Sequence, residues 1–161
     1  MMIGIAESLI DSQGFDGRDM TYTFVRNYES EPFRGYGPGP PRIFRAIRAG
    51  AAWDTAAQQL YPGGSFGNGS AMRVAPIGVF YYDDMKMLTE VAHKSSEITH
   101  AHKLGKDGAA LQAYAIALAA NLDPQATLDR SEFLARLRDY ADEAVYEKKL
   151  DGMKGLLAQP D

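Results

Sequence analysis

The sequence predicts an all-α domain, and three observations carry the prediction. Apolar residues recur at helical spacing, as in Met2, Ile5, Ala6, Leu9 and Ile10. Residues that cap helices stand ahead of several such runs, among them Ser70, Asp83, Asp84 and Ser131. Sustained apolar–polar alternation, the mark of a half-buried strand, is absent. The 161 residues, 45% of them hydrophobic, suffice for one helical domain with a sizeable core, spanning 1–161.

The first helix is expected over Met1–Ile10. Its stripe is already running at Met1 with no cap before it, so the chain is expected to start inside a helix. Gly14 and Gly17 end it, and a second helix runs from Arg18 to Tyr28. Glu31–Pro41, "EPFRGYGPGPP", reads as a loop. Short helices follow at Arg42–Ala49 and Trp53–Leu60. After the glycine-rich stretch "GGSFGNGSAMR" from Gly63 to Arg73, Ser70 is expected to cap a helix to about Tyr82, with Pro76 as a kink or early break. Asp83 or Asp84 caps the next, reaching about Thr99. A further helix covers about Lys106–Asn121, Ser131 caps a run to about Lys149, and a last short helix is expected near Met153–Ala158.

The net charge of −4 argues against nucleic acid or an anionic membrane as the main partner. No apolar run approaches the ~18 residues of a membrane span, and "MMIGIAESLI" has no basic n-region. The absence of cysteine removes disulfides, zinc–thiolate sites and thiol nucleophiles, and it fits a reducing compartment. The expected location is the cytoplasm.

The glycine-rich stretch has two readings. Glycines allow positive φ and close backbone approach, so successive N–H groups can form a nest for a phosphate or carboxylate, aided by a following helix N-terminus and by Ser65 and Asn68. The same composition also makes a tight turn between helices. It is not a Walker loop: Gly64 to Gly69 has the spacing, but Ser70 stands where lysine belongs and no strand precedes it. A second glycine-rich segment, "RGYGPG", makes a shared ligand more plausible, with Tyr36 and Phe66 as flat surfaces for a base or sugar.

Glu90-x-x-His93 and Glu97-x-x-His100 have the spacing of di-iron ligands, but both lie on one helix, about 10 Å apart along its axis, where such sites need several helices. His93 reads as a surface or half-buried helix residue. His100, at a helix end, suits either a phosphate contact or a carbonyl cap. His100-x-His102 is weak as a metal site. Asp83-Asp84 reads as a cap, and Asp142, Glu143 and Glu147 as a solvated face. No nucleophile–base arrangement presents itself.

"RGYGPG", "GGSFGNGSAMRVAPIG" and "THAHKLGKDGAALQA", in that order and at these intervals, closely resemble the ADP-ribosylglycohydrolase family, and in particular its ADP-ribosylserine and poly(ADP-ribose) hydrolase branch. The similarity runs from the first helix to about Asn121; the last forty or so residues carry little signal. The resemblance implies a partial, bundle-like helical fold and ADP-ribose as ligand, free or on a modified protein. It implies that Gly64, Ser65, Phe66, Gly67 and Asn68 hold the diphosphate and adjoining ribose, with Gly35 and His100 facing the ligand. Phe66 stands where relatives often have tyrosine, and Pro40 and Pro41 are expected to stiffen the first loop.

The implied activity is hydrolysis of the bond between an acceptor side chain and the ribose C1″, with two magnesium ions positioning or activating water. The family's T-D-D-T motif, its later acidic motif and its G-D-A-x-G segment are all missing from the sequence. The chain is therefore expected to be an internal fragment, incomplete at both ends, that carries most of the ligand cradle and no metal ligands. Complementary chain segments or a second copy are the expected partners. The alternative is a non-catalytic ADP-ribose-binding or structural domain.

Overall fold

The computed structural model describes residues 1–157. Among them the regular structure is entirely helical: α1 (Met2–Asp11), α2 (Gly17–Ser30), α3 (Gly39–Arg48), α4 (Ala56–Leu60), a 3₁₀ turn (Ala71–Arg73), α5 (Ala75–Phe80), α6 (Met85–Glu97), α7 (Lys103–Ala120), α8 (Arg130–Tyr140) and α9 (Ala144–Leu157).

Helix α7 organises the packing, lying against α5, α6 and α8. Its face is made of small residues, and Ala109, Ala113 and Ala117 are fully buried. Gly78 of α5 crosses it so closely that a Cβ there would lie 2.5 Å from the Ala113 carbonyl oxygen. The main core joins these alanines to Ile5, Leu9, Met20, Phe24, Val74, Ile77, Leu88, Val91 and Ile98. A second cluster, with Ile43, Ile47, Ala56, Ala57 and Ala101, seats α3 and α4. A third, of Leu118, Leu134, Leu137 and Leu150, seats α8 and α9.

Several expected boundaries move, most for a local reason and two where a distant residue is involved. Pro40 and Pro41 lie inside the first turn of α3 rather than in a loop. That turn has no intrahelical use for their missing N–H groups. Trp53 precedes α4 instead of opening it, and its indole fills the space over Gly17, edge-on to Phe15. The expected single helix from Ala71 to Tyr82 is a 3₁₀ turn and a short α5 separated at Val74, with Pro76 near the start of α5. Ser70 makes no side-chain cap; its hydroxyl donates to the Gly105 carbonyl at 3.0 Å.

Helix α7 begins three residues early because His102 caps it, Nδ1 accepting from the Leu104 N–H at 3.1 Å. Asp129 rather than Ser131 caps α8, accepting from Ser131 and Glu132 N–H groups. The expected run from Ser131 to Lys149 is broken at 141–143. Asp142 and Glu143 meet Lys103 there, at 3.2 and 2.5 Å. Helix α9 then runs through Gly152 without a break; the expected helix end at Ala158 lies outside the described residues.

Candidate functional site

A cleft of about 690 Å³ opens between the N-terminal part of α1, the C-terminal end of α2 and the two glycine-rich loops. Gly35, Tyr36 and Gly37 line one side, Gly67, Asn68 and Gly69 the other, with Arg73 and His100 below them. The two loops, about thirty residues apart in sequence, thus share one cavity, as the pairing of glycine-rich segments suggests. Tyr36 is held edge-on against Tyr28, their centroids 5.1 Å apart.

The second loop is shaped by what lies beneath it. Gly63 and Gly64 have φ of +83° and +81°, which favours glycine. Gly64 also presses on the backbone of Ala101 and His102, leaving no room for a Cβ. Gly67 and Gly69 have ordinary φ values and owe their size to His100: a Cβ on Gly69 would lie 2.7 Å from its Cε1, and one on Gly67 3.4 Å from its Nε2. Ser65 Oγ accepts from the Gly67 N–H at 3.3 Å, closing the turn on itself.

Of the seven residues singled out, Gly35, Gly67, Asn68 and His100 line the cleft. Gly64, Ser65 and Phe66 lie outside its lining. Gly64 docks the loop, Ser65 stabilises its turn, and Phe66 is 71% exposed, edge-on to His102 at 5.4 Å. The helix expected directly behind the loop is only a three-residue 3₁₀ turn, so an α-helix dipole contributes little there.

Arg73 and Thr99 carry the electrostatics of the cleft floor, and the sequence reading passed over both. Arg73 is buried, 4% exposed. Its Nη1 donates to Thr99 Oγ1 at 2.7 Å and its Nη2 to the Ser95 carbonyl at 2.9 Å, and the guanidinium sits 5.1 Å from the Phe24 ring centroid. Among the described residues Nε has no partner and no carboxylate pairs with the group. Burial lowers its pKa to about 10, so it stays a cation at neutral pH. The signal that could have found it is an arginine inside an otherwise apolar segment, "SAMRVAPIG". Thr99 Oγ1 also lies 2.7 Å from His100 Nδ1. Burial first, and Arg73 second, lower the His100 pKa to about 4, which keeps the ring neutral.

Among the described residues, the carboxylates do not fit a pair of metal ions at the cleft. Glu7 and Glu31 are the carboxylates at the cleft, and both are engaged: Glu7 accepts from Asn27 at 2.9 Å, and Glu31 pairs with Arg34 at 2.6 Å. One group of three carboxylates converges among the described residues, Asp107, Asp142 and Glu143, none of which lines the cleft. The Lys103 ammonium already sits among them at 2.5–3.2 Å. The Glu-x-x-His pairs are dispersed as well. Glu90 pairs with Lys94, Glu97 with Lys106 and His93 with Asp107, while His100 lies beyond the end of α6.

A family model described as ADP-ribosylglycohydrolase matches residues 1–160. ADP-ribosylhydrolase ARH3 of Gallus gallus is 35% identical over 148 residues, which is 90% of this chain and 39% of that protein. ARH3 of Homo sapiens is 33% identical over 147 residues, 89% of this chain and 40% of that protein. An uncharacterized protein of Archaeoglobus fulgidus is 26% identical over 163 residues, 98% of this chain and 46% of that protein. The chain spans about two fifths of the length of the ARH3 relatives it matches.

Proposed function

The chain belongs to the ADP-ribosylglycohydrolase family, and from that premise we propose that its cleft is the ADP-ribose-binding part of an ADP-ribosyl hydrolase. One observation carries the reading: Gly35, Gly67, Asn68 and His100, from three separated motifs, line one cleft. Its volume, about 690 Å³, lies within the ~300–1,000 Å³ range of small-molecule sites. Arg73 gives the floor a buried cation with no carboxylate partner among the described residues, which favours an anionic ligand such as a diphosphate. Tyr36 offers an aromatic wall.

In this reading the chain's own residues bind and orient. Asn68 and the backbone N–H groups of the glycine loop donate to ligand oxygens, and the glycines let the ligand approach the backbone. The polypeptide as a whole hydrolyses ADP-ribosyl bonds on modified proteins or related ADP-ribose derivatives, in the cytoplasm. No step is assigned to magnesium, since the carboxylates at the cleft are committed to Asn27 and Arg34. The same commitment favours a second reading, an ADP-ribose-binding or structural domain without turnover. Complementary segments or a second copy are the proposed partners.

Calorimetric titration of the 161-residue chain with ADP-ribose tests the binding reading. Saturable binding is expected, and no heat up to millimolar ligand would remove it. An assay for released ADP-ribose from a modified protein, run with and without magnesium, separates the two readings. The chain alone is expected to give none, and metal-dependent turnover would show that its own carboxylates make a site.

A further inference from the structure

Thr99 Oγ1 stands between two nitrogen atoms, Arg73 Nη1 and His100 Nδ1, each 2.7 Å away. The guanidinium nitrogen can only donate, so Thr99 Oγ1 accepts from it. That leaves the single hydroxyl proton for the other neighbour. Thr99 is 2% exposed and its hydroxyl has no further partner among the described residues. Were Nδ1 to donate instead, the hydroxyl proton would be buried with nothing to receive it, which costs a full desolvation penalty. Nδ1 is therefore the acceptor. In a neutral imidazole the proton must then sit on Nε2.

Nε2 is the ring nitrogen near Gly67 and Gly69, has no hydrogen-bond partner among the described residues, and is not enclosed. His100 itself lines the cleft. We infer that Thr99, oriented by Arg73, is a positioning residue that locks His100 in the Nε2–H tautomer, so that the ring presents a neutral N–H donor to an oxygen acceptor of the bound ligand. The donor cannot turn into an acceptor without breaking the chain Arg73–Thr99–His100. It therefore selects oxygens bearing lone pairs, as on a phosphate or an ether, over groups that can only donate. That ligand role rests on the ADP-ribose reading of the cleft; the tautomer does not.

The test is long-range ¹H–¹⁵N spectroscopy of the imidazoles in the 161-residue chain at neutral pH, with His100 assigned as the signal lost in His100→Gln. The expected wild-type pattern has a pyridine-type Nδ1 and a pyrrole-type Nε2. The opposite tautomer, a rapidly exchanging mixture or an imidazolium in the wild type would overturn the inference, and this reading needs no variant to fold. Thr99→Val keeps the shape and removes the hydroxyl. It is expected to release the tautomer to a mixture and to weaken ADP-ribose binding about tenfold, while Thr99→Ser restores both. A Thr99→Val spectrum identical to wild type overturns the lock. A released tautomer with unchanged ADP-ribose affinity overturns the donor role. A locked wild-type tautomer in a chain that does not bind ADP-ribose supports the relay and removes the ligand reading instead.

Discussion

The imidazole of His100 lies directly under Gly69: a methyl group on that glycine would stand 2.7 Å from Cε1 and 2.8 Å from Nε2. The glycine-rich loop is thus cut to fit over a histidine from a distant segment. The ring is tethered through Nδ1 to Thr99, so it cannot swing away without losing that bond.

Gly69→Ala is expected to displace the ring or lift the loop. Overpacking of this kind costs about 1–3 kcal/mol. Denaturant unfolding should show that loss, and calorimetry should show weaker ADP-ribose binding. A variant as stable and as tight as wild type would mean that the loop yields freely above His100.

Asn68 lines the same cleft and makes no side-chain hydrogen bond among the described residues. Asn68→Ala should therefore leave stability nearly unchanged while weakening ADP-ribose binding by roughly 1.5–3 kcal/mol, the value of a hydrogen bond to a charged group. Unaltered affinity in calorimetry would exclude Asn68 from the ligand contacts.

His100 also predicts a pH dependence. Its pKa falls from the usual 6.5 to about 4 on folding, so between these values the unfolded chain binds the extra proton and the folded chain does not. Stability should rise with pH across that window and drop as pH falls from 6.5 toward 4. The contribution of this group is roughly 2 kcal/mol after discounting for its partial exposure. His100→Gln should flatten this part of the curve in denaturant titrations from pH 4 to 7; an equal slope in both proteins would assign the dependence elsewhere.

Lys103 supplies the shared counter-ion of Asp107, Asp142 and Glu143, whose oxygens lie within 4.8 Å of one another. Those carboxylates hold its pKa well above the ordinary lysine value. Lys103→Met should lower the thermal midpoint, and millimolar magnesium should recover part of the loss in the variant but not shift the wild type. A variant midpoint indifferent to magnesium would show that the three groups separate once the ammonium is gone.

Much of this was legible because the physics is local. The stripe of α1 and the Asp84 cap of α6 follow from residues a few positions apart, and the two glycine-rich segments mark themselves by composition. Two of the errors involve a tertiary partner that overrides the local signal. Ser70 has the chemistry of a cap, yet its hydroxyl goes to Gly105, thirty-five residues away. The Ser131–Lys149 pattern is continuous, yet the helix breaks at 141–143, where the acidic pair meets Lys103. At the site, Asn68 and His100 were readable as polar residues in special surroundings. Arg73 and Thr99 were not, because their importance lies in a spatial chain that ordinary helix-forming sequence conceals. The last forty residues offered few motifs, although the family match extends to residue 160.

The α8–α9 hairpin follows a wholly exposed connection, 122–129, and packs on α7 through a small apolar cluster separate from the main core. Its polar and aromatic ties to the body are local: Lys103 pairs with Asp142 and Glu143, Tyr140 stacks on Tyr114 with centroids 4.2 Å apart and hydrogen-bonds to the Thr89 hydroxyl, and Tyr146 donates to the Leu104 carbonyl. Amide exchange should therefore fall into two tiers, with α8 and α9 trading deuterium together well before the buried turns of α6 and α7. A protease should likewise cut first between Asn121 and Arg130. The larger product would keep every residue that lines the cleft, so the hairpin can come and go as a unit while the cavity keeps its shape.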